Sequence, residues 1–254
     1  MPRARCHWAL LVRTGAALET ELPEAHAIAR ERRGEFLAGG LAPDALRLFA
    51  GRDKPSTHFY DDQRPETWGH VVEALCAAQP AVADPRRLER PAVAWMLGYL
   101  THLLTDVAYW RHVITALPPF PAHAGVHHGA WLLADQLPLP ASERALDVEA
   151  IRFDLAPGWI DEAAVRRMFD RVSNGILGPD GMWPVELGYF RHHPEARGRA
   201  DAELLAERVP LWERHVTEAR AALPPAAWDR FAADAVASSV QAIQRYLAGP
   251  GPGG

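Results

Sequence analysis

The chain has 254 residues, of which 48% are apolar, and this suits one large globular domain or two small ones. Its formal net charge of −5 argues against the basic surface of a protein that binds nucleic acid or an anionic membrane. Two cysteines, Cys6 and Cys76, cannot form a disulfide framework. Arg13 interrupts the short apolar run after Trp8 too early for a signal-peptide core, so we expect a cytoplasmic protein.

The pattern along the chain is helical, and no run of alternating apolar and polar residues predicts a strand. The first helix carries His7 in its opening turn. The second is expected to end at Gly39-Gly40, because glycine favours helix ends. Asp44 follows at a position typical of a helix N-cap, and this local pattern leaves a functional role open. The predicted helices after the first cover about residues 24–38, 45–50, 66–78, 92–110, 143–153, 160–174, 200–222 and 225–247, with an irregular stretch at 176–199.

The helix predicted over 92–110 is apolar almost all round, which is typical of a helix inside a protein or a membrane. Its polar side chains form one stripe, made of Thr101, His102, Thr105 and Asp106. Burying an imidazole and a carboxylate is costly unless a partner satisfies them, and a divalent metal ion would satisfy both. The alternatives are an ordinary hydrogen bond between the two in a protein core, and a membrane span, which an ionisable pair near its centre disfavours.

Further candidate ligands lie on either side of this helix. His58 and Tyr60 fall in a polar loop over 51–65, where a solvated histidine is the ordinary interpretation. His112 comes six residues after Asp106, so it points away from the polar stripe and could serve only a neighbouring site.

A second group follows the proline-rich break at 118–121, which ends the long helix. His127 and His128 stand where loop passes into helix. Asp135 lies seven residues after His128, so the two share one face of that helix.

Taken together, these residues resemble the zinc-dependent phospholipase C family, whose helical fold is shared more distantly by fungal single-strand-specific nucleases. The resemblance rests on the gap of fourteen residues from Asp44 to His58, and on the gaps from His102 to Asp106 and to His112. It covers about residues 1–136. The segments that carry it are His7, Gly-Gly-Leu-Ala-Pro-Asp44, Thr-His58-Phe-Tyr and Gly-Tyr-Leu-Thr-His102-Leu-Leu-Thr-Asp106 with His112.

The resemblance implies a multi-helix bundle with a cluster of two or three zinc ions. His58, His102 and Asp106 would bind a first zinc, with Asp44 beside it as a ligand or as the base that orients the attacking water. His7 and Asp106 would contribute to a second zinc, which makes Asp106 the bridge. Imidazole and carboxylate groups suit Zn²⁺.

The resemblance also implies a further zinc ion. Its ligands would be His112, either His127 or His128, and Asp135, which is the nearest downstream carboxylate. Tyr60 would add a ligand or line the pocket.

Two departures from the family pattern affect the ligand sets. The family's last pair is His-x-x-x-Glu, whereas Trp131 and Leu132 stand where either histidine would need its glutamate. Secreted members use a processed N-terminal amine as a ligand, whereas here Met1 lies six residues before His7, so we expect that zinc to lose a ligand or to be absent.

The expected function is zinc-dependent hydrolysis of a phosphoester by a metal-activated water, on a diester or monoester of a small metabolite or lipid head group. One alternative is another reaction on the same metal scaffold, such as amide hydrolysis, elimination or cyclisation. Another is a non-enzymatic helical protein. We expect one helical domain over 1–248, with the ligands within 1–136, and a disordered Gly/Pro tail over 249–254. A small-molecule substrate is expected, without nucleic acid or stable membrane insertion, and the sequence gives no indication of the oligomeric state.

Overall fold

A computed structural model describes residues 2–145 and 147–249, and this part of the chain is built from helices without a strand. The all-α fold expected from the sequence is confirmed. The α-helices are α1 (Ala4–Glu21), α2 (Pro23–Glu31), α3 (Arg33–Phe49), α4 (Lys54–His58), α5 (Val71–Ala78), α6 (Arg90–His112), α7 (Ala124–Ala134), α8 (Glu162–Val172), α9 (Met182–Phe190), α10 (Asp201–Ala222) and α11 (Pro225–Ala248).

Helix α6 is the buried centre of the fold. Every residue from Pro91 to Tyr109 is buried, and the helix is packed against α1, α2, α3, α5 and α11. The predicted position of this helix inside the protein is therefore confirmed. Over the described ranges, no helix combines the length and the hydrophobicity that a membrane crossing requires.

The crossing of α3 and α6 corrects one predicted helix boundary, because α3 continues through Gly39 and Gly40. A Cβ atom on Gly39 would lie 2.1 Å from the backbone oxygen of Trp95, and one on Gly98 would lie 1.8 Å from that of Phe36. Only glycine allows the two helix backbones to come so close. These glycines serve the packing of two helices, and this packing outweighs their low helix propensity.

Other segments also differ from the predicted pattern. Within 143–153, the described residues form loops and the ends of two short 3₁₀ turns instead of an α-helix. Side chains of α1 and α3 bind the backbone there: the Trp8 indole donates to the carbonyl of Glu143 at 2.7 Å, and Glu35 accepts from the amide of Arg152 at 3.1 Å. Helix α9 lies inside the stretch that was expected to be irregular.

The C-terminal helix α11 ends at Ala248, and Gly249 follows it with a positive φ of 75°. The rest of the tail predicted to be disordered, 250–254, lies outside the described residues.

Candidate metal centre

Four side chains that are far apart in the sequence meet in the core between α1, α4 and α6. His102 and Asp106 lie one turn apart on α6, His7 comes from α1, and His58 is the last residue of α4. Each is at most 1% exposed. The ring of His7 stacks on that of His102 with 3.7 Å between centroids, and the Nε2 atoms of His58 and His102 are 3.3 Å apart.

The carboxylate of Asp106 lies between the three imidazoles. Its Oδ1 is 3.4 Å from Nε2 of His7, whereas Oδ2 is 3.7 Å from Nε2 of His58 and 3.9 Å from that of His102. Asp44 lies on α3, and its Oδ1 is 3.4 Å from His58 Nε2. Two sets of three, His7–Asp44–His102 and His58–His102–Asp106, hold their ligand atoms within 4.8 Å of one another.

Helix α4 presents His58 to the cluster from a single turn of helix. Asp53 caps the start of this turn, since its Oδ1 accepts a hydrogen bond from the amide of Ser56 at 3.0 Å. Phe59 ends the turn in the left-handed conformation, with φ of 58°. His58 is therefore fixed and buried, and this excludes the interpretation as a solvated loop histidine.

Hydrogen bonds behind the candidate ligands orient two imidazoles. Nδ1 of His102 lies 2.8 Å from the carbonyl oxygen of Gly40, which can only accept, so Nδ1 carries the proton and Nε2 directs its lone pair into the cluster. Nδ1 of His58 lies 2.8 Å from the hydroxyl oxygen of Thr57, so Nε2 of this ring faces the cluster as well. A second partner that orients the ring is typical of metal-binding histidines.

Buried polar atoms in the cluster are left without hydrogen-bond partners among the described residues. These atoms are both ring nitrogens of His7 and Oδ1 of Asp106. The Nε2 atoms of His58 and His102 also face each other at 3.3 Å, with Oδ2 of Asp106 within 3.9 Å of both, so the three atoms form a donor set for a cation. Because unsatisfied buried groups are costly, and because imidazole and carboxylate are preferred zinc ligands, these residues fit a bound zinc ion.

Electrostatics set the protonation states that metal ligands need. Burial favours the protonated form of Asp106, but the surrounding imidazoles of His7, His102 and His58 hold its pKa well below the usual range. Burial likewise opposes ionisation of Asp44, and the same imidazoles lower its pKa. Burial, together with His7, lowers the pKa of His102 from 6.5 to about 3. At neutral pH both carboxylates are therefore ionised and His102 is neutral.

We expect the metal-free protein to lose stability as the pH falls from about 6.5 towards 4. The pKa of His102 is about 3 in the fold against 6.5 ordinarily, so between these values the unfolded chain binds a proton that the folded chain excludes. The free energy of unfolding should then fall by up to about 1.4 kcal/mol per pH unit. Below about pH 4, protonation of Asp44 and Asp106, whose pKa values are lowered in the fold, removes further stability.

Thermal unfolding in the presence of a chelator, at a series of pH values, measures this loss. The His102→Gln variant is the control, because it has no titrating imidazole at this position and should lose most of the slope above pH 4. An equal slope in both proteins would contradict the prediction.

Tyr60 is buried behind the ligands and does not line the cavity. Its hydroxyl donates a hydrogen bond to Oδ2 of Asp106 at 2.7 Å, and its ring stacks on Trp68 with 3.6 Å between centroids. Burial, with the nearby Asp106 carboxylate, raises the pKa of Tyr60 well above its usual value, so the hydroxyl keeps its proton. Tyr60 therefore orients Asp106.

The structure does not bring together the outer set of His112, His128 and Asp135. His112, at the end of α6, faces α11, where its Nε2 lies 2.9 Å from Oδ2 of Asp234. This direction follows from helix geometry, since residues six apart do not share a face. His127 does not join His112 either, since its Nε2 lies 2.8 Å from the carbonyl of Pro118.

His128 and Asp135 lie in a different network, which is organised by a guanidinium group. The side chain of Arg3 contacts the carboxylates of Asp135 at 2.6 Å and of Glu186 at 2.7 Å. Glu186 also accepts from Nε2 of His128 at 2.8 Å, and the other ring nitrogen of His128 faces His215 at 2.9 Å. A positive charge of the protein thus neutralises Asp135, the carboxylate expected to bind the outer zinc.

A cavity of about 690 Å³ opens beside the cluster. Asp44 lines it and is 18% exposed at its side chain, whereas the other four ligand-type residues lie deeper and do not line it. Asp44 is therefore the link between the cavity and the cluster. The aromatic residues in its wall are Trp68, Trp110, Phe120, Trp131 and Tyr189.

The sequence does not indicate all the groups that lie behind the candidate ligands and in the cavity wall. Thr57 directly precedes His58, and this neighbouring hydroxyl was a usable signal. The carbonyl of Gly40 and the side chains of Arg47 and Arg171 left no such signal, because only the packing of α3, α6 and α8 brings them to the site.

Comparison with known proteins supports what the geometry indicates. The family model described as zinc dependent phospholipase C matches residues 6–170, which include all five residues of the cluster. No curated protein and no solved structure matches the chain significantly. Because the family model covers well over half of the sequence, the chain belongs to the zinc-dependent phospholipase C family, whose members are hydrolases that act on phosphoester bonds.

Proposed function

We propose that this protein is a zinc-dependent hydrolase that cleaves a phosphoester of a small metabolite or lipid head group. The observation that carries the proposal is the pair of His/Asp sets beside a cavity, with ionised carboxylates and unsatisfied imidazole nitrogens. Family membership makes a phosphoester the favoured bond.

The two oxygens of Asp106 suit it to serve two ions. Oδ1 faces His7, and Oδ2 faces His58 and His102, so the carboxylate can bridge a site on each side. Zinc bound there would supply a Lewis acid that acidifies water and neutralises charge on a phosphate. The hydrogen bond from Tyr60 holds the bridging carboxylate in this orientation.

Asp44 has the position and charge of the base that orients the attacking water. It is ionised, it contacts His58, and it reaches the cavity through which substrate and water arrive. A carboxylate at this boundary can accept a hydrogen bond from water and later take up its proton.

Replacing Asp44 by asparagine should lower kcat for phosphoester hydrolysis by roughly 10²–10⁴-fold, the usual contribution of a general base, while zinc remains bound. Elemental analysis after zinc loading and removal of free metal measures retention, and we expect the same number of ions per chain in both proteins.

Asp62→Asn is the matched control, since Asp62 also lines the cavity but pairs with Lys54. Its kcat should stay close to that of the unaltered protein. Loss of zinc in Asp44→Asn would make Asp44 a ligand instead. Metal-loaded protein that cleaves neither phosphomonoesters nor phosphodiesters would overturn the proposed function.

A further inference from the structure

The charged residues of the cavity wall do not cancel one another. Arg3 is held by Asp135 and Glu186, and Lys54 is held by Asp62 at 2.7 Å. Two arginines remain that form no ion pair within 4.0 Å in the described part of the chain. The charged residues lining the cavity are Arg3, Asp44, Arg47, Lys54, Asp62 and Arg171, so the two uncompensated side chains are Arg47 and Arg171.

Arg171 is the more informative of the two because it is half-buried at the end of α8. Burial lowers its pKa, and the nearby Tyr189 and Asp44 oppose this change, which places Arg171 within electrostatic reach of the catalytic carboxylate. An arginine remains charged in proteins, and a partly buried guanidinium without a carboxylate partner is costly. An anion in the cavity would remove this cost through charge-assisted hydrogen bonds.

Part of the aromatic wall already lies against a cation of the protein. Aromatic faces often bind quaternary ammonium groups. Here, however, the Lys54 ammonium already lies 4.8 Å from the ring centroid of Tyr60 and 5.8 Å from that of Trp68. At Trp68, a trimethylammonium group would therefore meet an ammonium group that is already in place.

We propose that the cavity selects substrates with more negative charge than a simple phosphodiester, and that Arg171, assisted by Arg47, binds the additional charge. This inference rests on the proposed function and names the substrate class of the same site. The extra charge can lie on the phosphate, as in a phosphomonoester, or on the head group of a diester. Arg171 is thus a specificity-determining residue.

Hydrolysis by zinc-loaded protein tests the proposal with two pairs of substrates. p-Nitrophenyl phosphate and p-nitrophenyl phosphorylcholine differ only in the choline, and short-chain phosphatidylinositol and its monophosphate differ only in one anionic phosphate group on the inositol ring. In at least one pair, kcat/KM should be about tenfold or more higher for the more anionic member. The first pair reports charge on the phosphate, and the second reports charge on the head group. Equal or lower values for the anionic member in both pairs would overturn the inference.

Arg171→Gln should reduce the preference for the more anionic substrate, measured as the ratio of the two kcat/KM values, by at least about tenfold. We expect most of this change in the KM of the anionic substrate. Arg166→Gln is the matched control, because Arg166 lies on the same helix but pairs with Glu162 at 2.7 Å on the surface. A preference unchanged in Arg171→Gln, or lowered equally in Arg166→Gln, would overturn the assignment.

A binding measurement separates failure of this inference from failure of the proposed function. Calorimetric titration of the zinc-loaded protein with inorganic phosphate should show affinity about tenfold or more weaker in Arg171→Gln than in the unaltered protein. If no phosphoester is cleaved while this difference is found, the hydrolytic function is wrong and the anion site remains. Equal phosphate affinity in both proteins would overturn the anion site.

Discussion

Replacing Asp106 by asparagine should remove bound zinc and lower phosphoester hydrolysis by more than the roughly 10–100-fold typical of losing a group behind the ligands. Both carboxylate oxygens face imidazole nitrogens, with Oδ1 near His7 and Oδ2 near His58 and His102. The amide keeps one oxygen without the negative charge and turns an NH₂ group towards the other side. One substitution therefore weakens both halves of the cluster.

Tyr60→Phe is the graded control for this experiment. It keeps the Asp106 carboxylate and deletes only the 2.7 Å hydrogen bond that orients it, so zinc affinity or activity should fall by roughly 10–100-fold. Zinc content by elemental analysis and kcat/KM should fall together, and more steeply in Asp106→Asn. Circular dichroism of the metal-free proteins shows whether the variants fold. Two zinc ions retained in a folded Asp106→Asn protein would contradict the bridging role.

The part of the site that lies on α6 could be predicted, because helix periodicity shows which residues of a single helix share a face. His102 and Asp106 are four residues apart on an apolar helix, so the sequence alone places them on one face of a buried segment. His7 and His58 lie on other helices, and only the resemblance to the family linked them to this pair. The structure then brings all of these side chains together.

The outer half could not be predicted because its contacts depend on the tertiary arrangement. Asp135 has the spacing of a ligand relative to His128, yet it is bound by Arg3, which precedes α1, and by the amide of Cys6 at 3.1 Å. Which partner binds this carboxylate depends on where the start of α1 lies relative to α7 and α9. Local spacing carries no information on that competition.

Glycine is the other case in which local sequence was misleading. Gly39-Gly40 has the pattern of a helix end, but these residues lie in the interior of α3, against the backbone of α6. A glycine that ends a helix and a glycine that permits two helices to touch look identical in one sequence. The difference matters for the metal centre, since the carbonyl of Gly40 holds the ring of His102.

Replacing Gly98 by alanine should destabilise the fold by about 3 kcal/mol or more, the upper range for overpacking of a buried contact. Its Cβ would lie 1.8 Å from the carbonyl oxygen of Phe36 and 2.8 Å from the amide nitrogen of Gly40, and neither backbone atom can move without separating α3 from α6. The melting temperature should fall by roughly 6–12 °C, given about 2–4 °C per kcal/mol for a chain of this size.

Gly15→Ala is the matched control for this last prediction, since Gly15 lies inside α1 and its Cβ would meet only the ring of Phe36 at an ordinary 3.8 Å. Alanine there should stabilise the protein by roughly 0.5–1 kcal/mol through its better helix propensity. Separation of α3 from α6 in Gly98→Ala would also draw the carbonyl of Gly40 away from Nδ1 of His102, so zinc affinity should fall together with the melting temperature. A Gly98→Ala protein that melts at or above the temperature of the unaltered protein would contradict the view that direct backbone contact between these helices holds the metal centre in place.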